Sequence, residues 1–301
     1  MKYGIIDLGS NTIRLAVYHA INGMPVCLFT RKVFARAVSY RRDGIMSPEG
    51  ISVIMRALRE LSRHASYHDL TSLWCFATAC LRGLKNQGEV LAAIKDASSL
   101  AAEVLTGKQE ATYGVSGLIA WSHVSDAVSI DLGGGSCEIS LIKNKRSVHS
   151  VSVDIGSVSA YKDHVTGIFP DQNEIDKITQ RILQAINGLS WLKNCSIDAA
   201  WAMGGSARAM CRIHRALYHP DASLDDYSLE TTQMAPLIQK LCAMQLNGIR
   251  LADQYCPGRV FTLIPGIVIL REVLAFAGAQ RLRLASAGVR EGYLLSKLGL
   301  A

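Results

Sequence analysis

The same device occurs twice in this chain: an apolar run ending in Asp-Leu, a glycine-rich turn with a small hydroxyl residue, then a second apolar run. It is written YGIIDLGSNTIRLAVY at residues 3–18 and VSIDLGGGSCEIS at residues 128–140. Each copy reads as a β-hairpin. A duplicated hairpin in 301 residues constrains the chain to two related α/β halves, since 301 residues suffice for two domains.

The pattern between the copies supports this division. Residues 2–10, 13–20 and 25–33 read as three successive strands, the turn between the last two being INGMP (21–25). MSPEGISVIMRALRELSRHASYHDL (46–70) opens with Ser47 as helix N-cap, Pro48 at the first helical position and Glu49 in the first turn. Ile51, Ile54, Met55, Leu58 and Leu61 recur at helical spacing on one face. A strand at 72–79, a helix over about 86–97, the short strand AEVLTG (102–107) and a helix from about 108 to 121 complete the first half. The pattern restarts with strands at 127–132, 136–143 and 147–153, then helices across 173–193 and a strand–turn–helix in IDAAWAMGGSARAM (197–210). A helix-rich stretch broken by Pro257 and Pro265 runs to 278, and a strand, a turn at Gly288 and a terminal helix end the chain. The domains are therefore expected at 1–122 and 123–288, with a cleft between them and the helix over 289–301 packing back on the first.

Composition narrows the class. Hydrophobic residues make up 49% and charged residues 19%, so the chain buries a large core and is not disordered. No uninterrupted apolar run is long enough to cross a membrane, and the N-terminus reads as a strand rather than a signal peptide. The eight cysteines include no Cys-x-x-Cys pair and read as small buried hydrophobes in a reducing cytoplasm. The net charge of +7 suits polyanionic partners or serves solubility alone. No basic tail or aromatic-interleaved basic helix points to nucleic acid.

A glycine-rich turn leaves backbone N–H groups unobstructed, a concavity that binds phosphate oxygens. Gly9, Ser10 and Asn11 form one candidate cradle, and Gly133, Gly134, Gly135 and Ser136 the other. Asp7 and Asp131 end their strands, where a carboxylate beside a phosphate implies an intervening Mg²⁺. The alternative for each copy is an ordinary hairpin with Asp and Gly as turn formers.

With these motifs the chain resembles the exopolyphosphatase / guanosine pentaphosphate phosphohydrolase family of the actin–sugar kinase–Hsp70 superfamily. Beyond the hairpins, FATACLRGLKN (76–86) is similar to the family's Thr-x-x-x-Arg-x-x-x-Asn segment, VLTGKQEATYGVSG (104–117) to its Gly-x-Glu-Glu-Ala segment and SAGVREGYLL (286–295) to its Gly-x-Arg-Glu-Gly signature. DIGSVSAYK (154–162) and AMGGSARAM (202–210) also stand where similar family segments occur. The resemblance implies two actin-like (ribonuclease H-like) α/β domains with an interdomain active-site cleft. It implies an Mg²⁺-dependent hydrolase acting on inorganic polyphosphate or guanosine pentaphosphate, without nucleic-acid or membrane partners, and it allows a homodimer.

Carried over by position, Glu110 would be the general base, Arg82 the arginine on the phosphoryl chain, and Asp7, Asp131 and Glu138 the metal-binding acids. Without the surrounding motifs, Glu110 would read as a first-turn charge on a helix and Arg82 as a surface ion-pair residue. Three departures from the pattern stand out. Gln109 replaces the first Glu of the pair, which removes a charge beside the base and admits a non-catalytic sensor. Cys137 stands where Thr is usual and reads as packing. Arg36, Arg41 and Arg42 replace a Leu/Gly-containing stretch and are expected to line the approach for a long polyanion. AMGGSARAM as an adenosine loop would instead suit an ATP-dependent kinase. His64 and His68 are a helical i, i+4 pair without a visible third metal ligand, and Arg290 and Glu291 read as structural.

Overall fold

The computed structural model describes residues 1–21, 24–193, 195, 197–224 and 227–300. The centre of the INGMP turn, Asn22 and Gly23, lies outside the described residues. The chain separates into two compact units, Met1–Glu110 and Ala111–Ala301. The division falls inside a helix, twelve residues before the expected boundary at 122, because that helix gives its first turn to one unit and its remaining turns to the other.

In the first unit, β1 (Lys2–Leu8), β2 (Ile13–Ile21) and β3 (Met24–Val33) form an antiparallel meander. The short hairpin of β4 (Arg41–Arg42) and β5 (Ile45–Met46) follows, turned at Asp43 and Gly44. Both turn residues have positive φ, 50° and 78°, the backbone that the Asp-Gly pair accepts in a two-residue hairpin. Helix α1 (Pro48–Ala65), β6 (Ser72–Ala77), α2 (Gln87–Ser98) and β7 (Ala102–Val104) complete the unit, and α3 (Gly107–Ser122) begins in it. The sheet order is β3-β2-β1-β6-β7, with β1, β6 and β7 parallel. Ser47 caps α1 as expected, its Oγ accepting from the Gly50 N–H at 3.2 Å, and Ile51, Ile54, Leu58 and Leu61 are buried against the sheet. His64 and His68 pack against the Phe29 ring.

The second unit repeats the scheme. β8 (Ala127–Leu132), β9 (Cys137–Lys143) and β10 (Arg146–Val153) form the meander, followed by α4 (Ser157–His164), α5 (Gln172–Ile186), β11 (Ala199–Met203) and α6 (Gly204–Tyr218). Then come β12 (Ser228–Glu230), α7 (Met234–Ala243), α8 (Leu246–Tyr255), α9 (Val260–Ala277), β13 (Arg281–Leu284) and α10 (Val289–Lys297). The order is β10-β9-β8-β11-β13-β12, with β8, β11 and β13 parallel and β12 an antiparallel edge. Helix α4 and strands β4, β5 and β12 are elements that periodicity did not reveal, each being too short to show a period.

Helix α9 is long and apolar enough to cross a membrane by length and composition, but it is the buried core helix of this unit, packed against α4, α5, α6 and α7. Pro265 lies inside it and does not break the chain as expected. The missing N–H forgoes one bond in a helix whose burial on all sides outweighs that loss. Helix α10 packs on α3 through two glycines, since a Cβ at Gly292 would overlap the Tyr113 carbonyl and one at Gly117 the Gly288 carbonyl. The Tyr113 and Tyr293 rings meet edge-on at 5.5 Å. Glu291 caps α10, accepting from the Gly288 N–H at 2.8 Å.

All eight cysteines are free thiols. Cys75, Cys80, Cys137, Cys211 and Cys256 are buried, and burial pushes the Cys75 and Cys80 thiols up to about 12. They act as small apolar side chains.

His214 is buried in α6 with Nδ1 2.8 Å from the Tyr227 hydroxyl. Burial, and secondarily the charge of His219, lower its pKa from 6.5 to about 4. The unfolded chain therefore takes up this proton first as the pH falls. The stability contributed by neutral His214 is complete above pH 6.5 and is lost as the pH drops through the window from 6.5 to about 4. Urea unfolding in that window should show a decline that is shallower in His214→Asn.

Candidate active site

The candidate residues of the first unit come from the carboxyl ends of three adjacent parallel strands. β1 ends in the first hairpin turn, β6 in the loop carrying Arg82, and β7 in the first turn of α3, which carries Glu110. The carboxyl ends of parallel strands are where open α/β sheets place ligands.

The hairpin turns share one strand register, with residue 7 corresponding to 131, 9 to 133 and 14 to 138. Gly9 N–H donates to Thr12 O at 3.1 Å and Gly133 N–H to Ser136 O at 3.0 Å. Gly9 and Gly133 thus close their turns rather than donate outward. The carbonyls inside each turn are taken by a neighbouring segment. Ser10 O and Asn11 O accept from Val38 N–H (3.2 Å) and Arg36 N–H (2.9 Å). Gly133 O accepts from Ser157 N–H (3.0 Å), and Gly134 O from Val158 and Ser159 N–H (2.9 and 3.0 Å), at the start of α4.

A trans peptide points its N–H opposite to its C=O. With those carbonyls tied down, the N–H groups of Asn11 and Thr12 in one turn, and of Gly134 and Gly135 in the other, face the opposite way. Among the described residues they have no backbone partner. Thr12 is a donor that the glycine pattern of the sequence does not reveal. Nor does that pattern reveal the supporting role of Gly156, where a Cβ would overlap the Gly134–Gly135 peptide. The side chain of Asn11 is buried, and among the described residues neither its Oδ1 nor its Nδ2 has a hydrogen-bond partner. An orphaned buried amide costs about 1–3 kcal/mol, a cost that a ligand at this turn would offset.

The acids differ between the turns. Asp7 stands opposite Arg14 in the strand register, whereas Asp131 stands opposite Glu138. Like charges directly across an antiparallel pair repel. Glu138 is buried, and its Oε1 accepts from the Ser152 hydroxyl at 2.6 Å. Among the described residues no three His, Cys, Asp or Glu side chains gather as a ready metal cage. Two facing carboxylates beside a glycine-rich turn nevertheless fit Mg²⁺, which takes one or two carboxylates and completes its shell with other oxygen ligands and water. The observed charges favour the Asp131–Glu138 pair over Asp7.

In the first unit, Arg82 Nη2 pairs with Glu110 Oε2, and Arg82 Nε donates to Leu105 O at 3.2 Å. Glu110 is 8% exposed. Cys80 Sγ donates to Leu8 O at 3.2 Å, which ties the connection carrying Arg82 to the end of β1. Gln109 faces away from this pair. Its Oε1 accepts from the Thr106 N–H and hydroxyl, both at 2.9 Å, while its N–H donates to Thr106 Oγ1 at 3.2 Å. This is a capping box at the start of α3, a task that Gln and Glu perform equally.

Of the three arginines expected to line an approach, Arg41 is turned onto the protein. Its Nη1 donates to Ala79 O and Arg82 O, at 3.4 and 3.0 Å. Arg36 uses its backbone N–H to hold Asn11 O, and Arg42 is exposed.

A model of the Ppx/GppA phosphatase family matches residues 17–301. The chain is 24% identical over 317 residues to Exopolyphosphatase 2 of Mycobacterium tuberculosis, covering 99% of each chain. To Exopolyphosphatase 1 of the same organism it is 20% identical over 304 residues, covering 99% of this chain and 88% of that one. Among solved structures, it is similar to an exopolyphosphatase from Cytophaga hutchinsonii (TM-score 0.85, 18% identity, covering 99% and 98% of the two chains). It is also similar to the Aquifex aeolicus member of the Ppx/GppA family (TM-score 0.78, 21% identity, covering 99% and 97%). The two-domain, actin-like α/β fold is thereby shown.

Asn11→Ala should leave the chain as stable or up to about 1 kcal/mol more stable, while weakening phosphate binding about tenfold, as urea unfolding and calorimetry would measure. Gly156→Ala should cost about 1–3 kcal/mol through overpacking and weaken anion binding as well.

Proposed function

The chain belongs to the Ppx/GppA phosphatase family, a family of phosphoanhydride hydrolases, and from that premise we propose that it releases the terminal phosphate of inorganic polyphosphate. The observation carrying this reading is the paired hairpin turns, whose N–H groups are aimed away from the carbonyls that anchor them. A phosphoryl chain offers these donors nothing but charged oxygens. Guanosine pentaphosphate, which ends in the same anhydride chemistry, is a second substrate on this reading.

In the proposed mechanism the turn N–H groups and the Asn11 amide bind phosphate oxygens and fix the chain end. Glu110 takes a proton from the attacking water as the water oxygen bonds to the terminal phosphorus. The bridging P–O bond breaks, and orthophosphate and a chain shorter by one unit leave. Arg82 holds the Glu110 carboxylate in place and brings positive charge to the same locality. Asp131 and Glu138 would hold Mg²⁺, which when bound offsets charge on the phosphate oxygens. Little else is required of a protein in phosphoryl transfer.

Two observations favour hydrolysis over the other readings. Gln109 has a capping role, so the change from Glu leaves the base in place and removes the feature that suggested a sensor. At the start of α6, where a kinase would seat adenosine, Gly205 lies under the Arg259 guanidinium, whose Nη1 donates to Ser206 Oγ at 3.4 Å. Free thiols, most of them buried, suit the reducing cytoplasm where such substrates occur.

Phosphate release with Mg²⁺ from polyphosphates of two chain lengths, guanosine pentaphosphate and ATP tests the reading. Polyphosphate should turn over fastest, and Glu110→Gln should lower kcat at least about 10²-fold, the scale of losing a general base. Binding without turnover of any substrate would leave a sensor instead.

A further inference from the structure

We propose that Arg41 is a positioning residue that acts through Arg82, and that the β4–β5 hairpin is the clamp that holds the Arg82–Glu110 pair in register. The functional part of this inference rests on the hydrolase reading above.

Arg82 lies in the connection between β6 and α2, which has no strand or helix of its own to fix it. Its side chain must nevertheless reach both Leu105 O and Glu110, on the neighbouring connection. The connection is pinned at successive points by residues 41–46. Arg41 Nη1 bridges Ala79 O and Arg82 O. Gly44 O accepts from the Lys85 N–H at 2.7 Å. Asn86 makes a two-way pair with Met46, its Oδ1 accepting from the N–H and its Nδ2 donating to the C=O, both at 3.0 Å. Of these contacts, only that of Arg41 reaches the backbone of Arg82 itself.

The same segment holds the first phosphate turn a few residues earlier, through Arg36 and Val38 N–H. Residues 36–46 therefore tie the turn and the ion pair into one unit of fixed geometry. This explains an arginine at 41 better than substrate contact does, because its guanidinium donates to main-chain carbonyls. A half-buried arginine bonding two carbonyls of one turn fixes that turn more firmly than a lysine, because its planar head is already oriented and loses less freedom than a flexible ammonium.

The test is Arg41→Met, which keeps the aliphatic stem but removes the donors. Arg41→Lys serves as the conservative variant, and Arg31→Ala, on β3, as a control that removes one positive charge elsewhere in the same unit. Arg41→Met should lower kcat for phosphate release about tenfold or more with KM little changed, since a small misplacement of a catalytic group carries penalties on this scale. Arg41→Lys should recover part of the loss. In an Arg82→Ala background, Arg41→Met should have no further effect. A KM effect, or an equal loss of kcat in that background, would mean that Arg41 meets substrate or acts through overall stability, and would overturn the proposal.

A further measurement is independent of turnover. Solvent exchange of the Arg82 Nε–H, followed by ¹⁵N NMR, should accelerate in Arg41→Met and not in Arg31→Ala. Unchanged exchange overturns the positioning role even if the enzyme is active. Accelerated exchange in a chain that hydrolyses no phosphoanhydride would uphold the clamp while sinking the hydrolase reading.

Discussion

The capture of turn carbonyls by a neighbouring segment is the constraint on which the candidate site depends. A glycine-rich turn left to itself samples many conformations, and its N–H groups point in no fixed direction. Here residues 36 and 38 take the carbonyls of one turn and residues 157–159 those of the other. Peptide planarity does the rest, sending the partner N–H groups to the opposite side. Glycine is needed at 156, where α4 begins, because any side chain there would overlap the turn that the helix holds.

The duplicated turns have diverged in electrostatics while keeping their backbone scheme. In the first, the strand-end carboxylate Asp7 faces Arg14, so opposite charges stand across the strands. In the second, Asp131 faces Glu138, and the repulsion between them is what a divalent cation would relieve. The first turn instead has the buried amide of Asn11, unpartnered among the described residues, and in the same unit the Arg82–Glu110 pair. The two copies thus differ chemically, one turn standing beside two facing carboxylates and the other beside a buried amide and an arginine–carboxylate pair.

Arg82, Glu110 and the first turn are separated by up to about a hundred residues in sequence but follow β6, β7 and β1, adjacent in the sheet. Their grouping is a consequence of strand order. Short connections leave parallel strands at their carboxyl ends, so any polar side chain placed just after such a strand arrives at the same edge. Gln109 and Arg41 show the limit of reading charge from sequence. Gln109 stands where an acid is expected, yet it caps a helix. Arg41 belongs by sequence to a basic cluster suited to a polyanion, yet its guanidinium is turned onto carbonyl oxygens.

The duplicated hairpins, the strand-and-helix alternation around them, the Ser47 cap and the glycine-rich composition of both turns are legible from the residues alone. These are local matters of periodicity, φ preference and hydrogen bonding within a few residues. Helix α4, strand β12 and the β4–β5 clamp were not legible, being too short to show a period, and Pro265 in α9 ran against the local rule because burial on every side holds that helix. Which turn carbonyls are held, hence which N–H groups point outward, and what the Arg41 guanidinium bonds are fixed by packing between distant segments. Those depend on partners tens of residues away, and no property of a residue's own neighbourhood in the chain encodes the direction from which such a partner arrives.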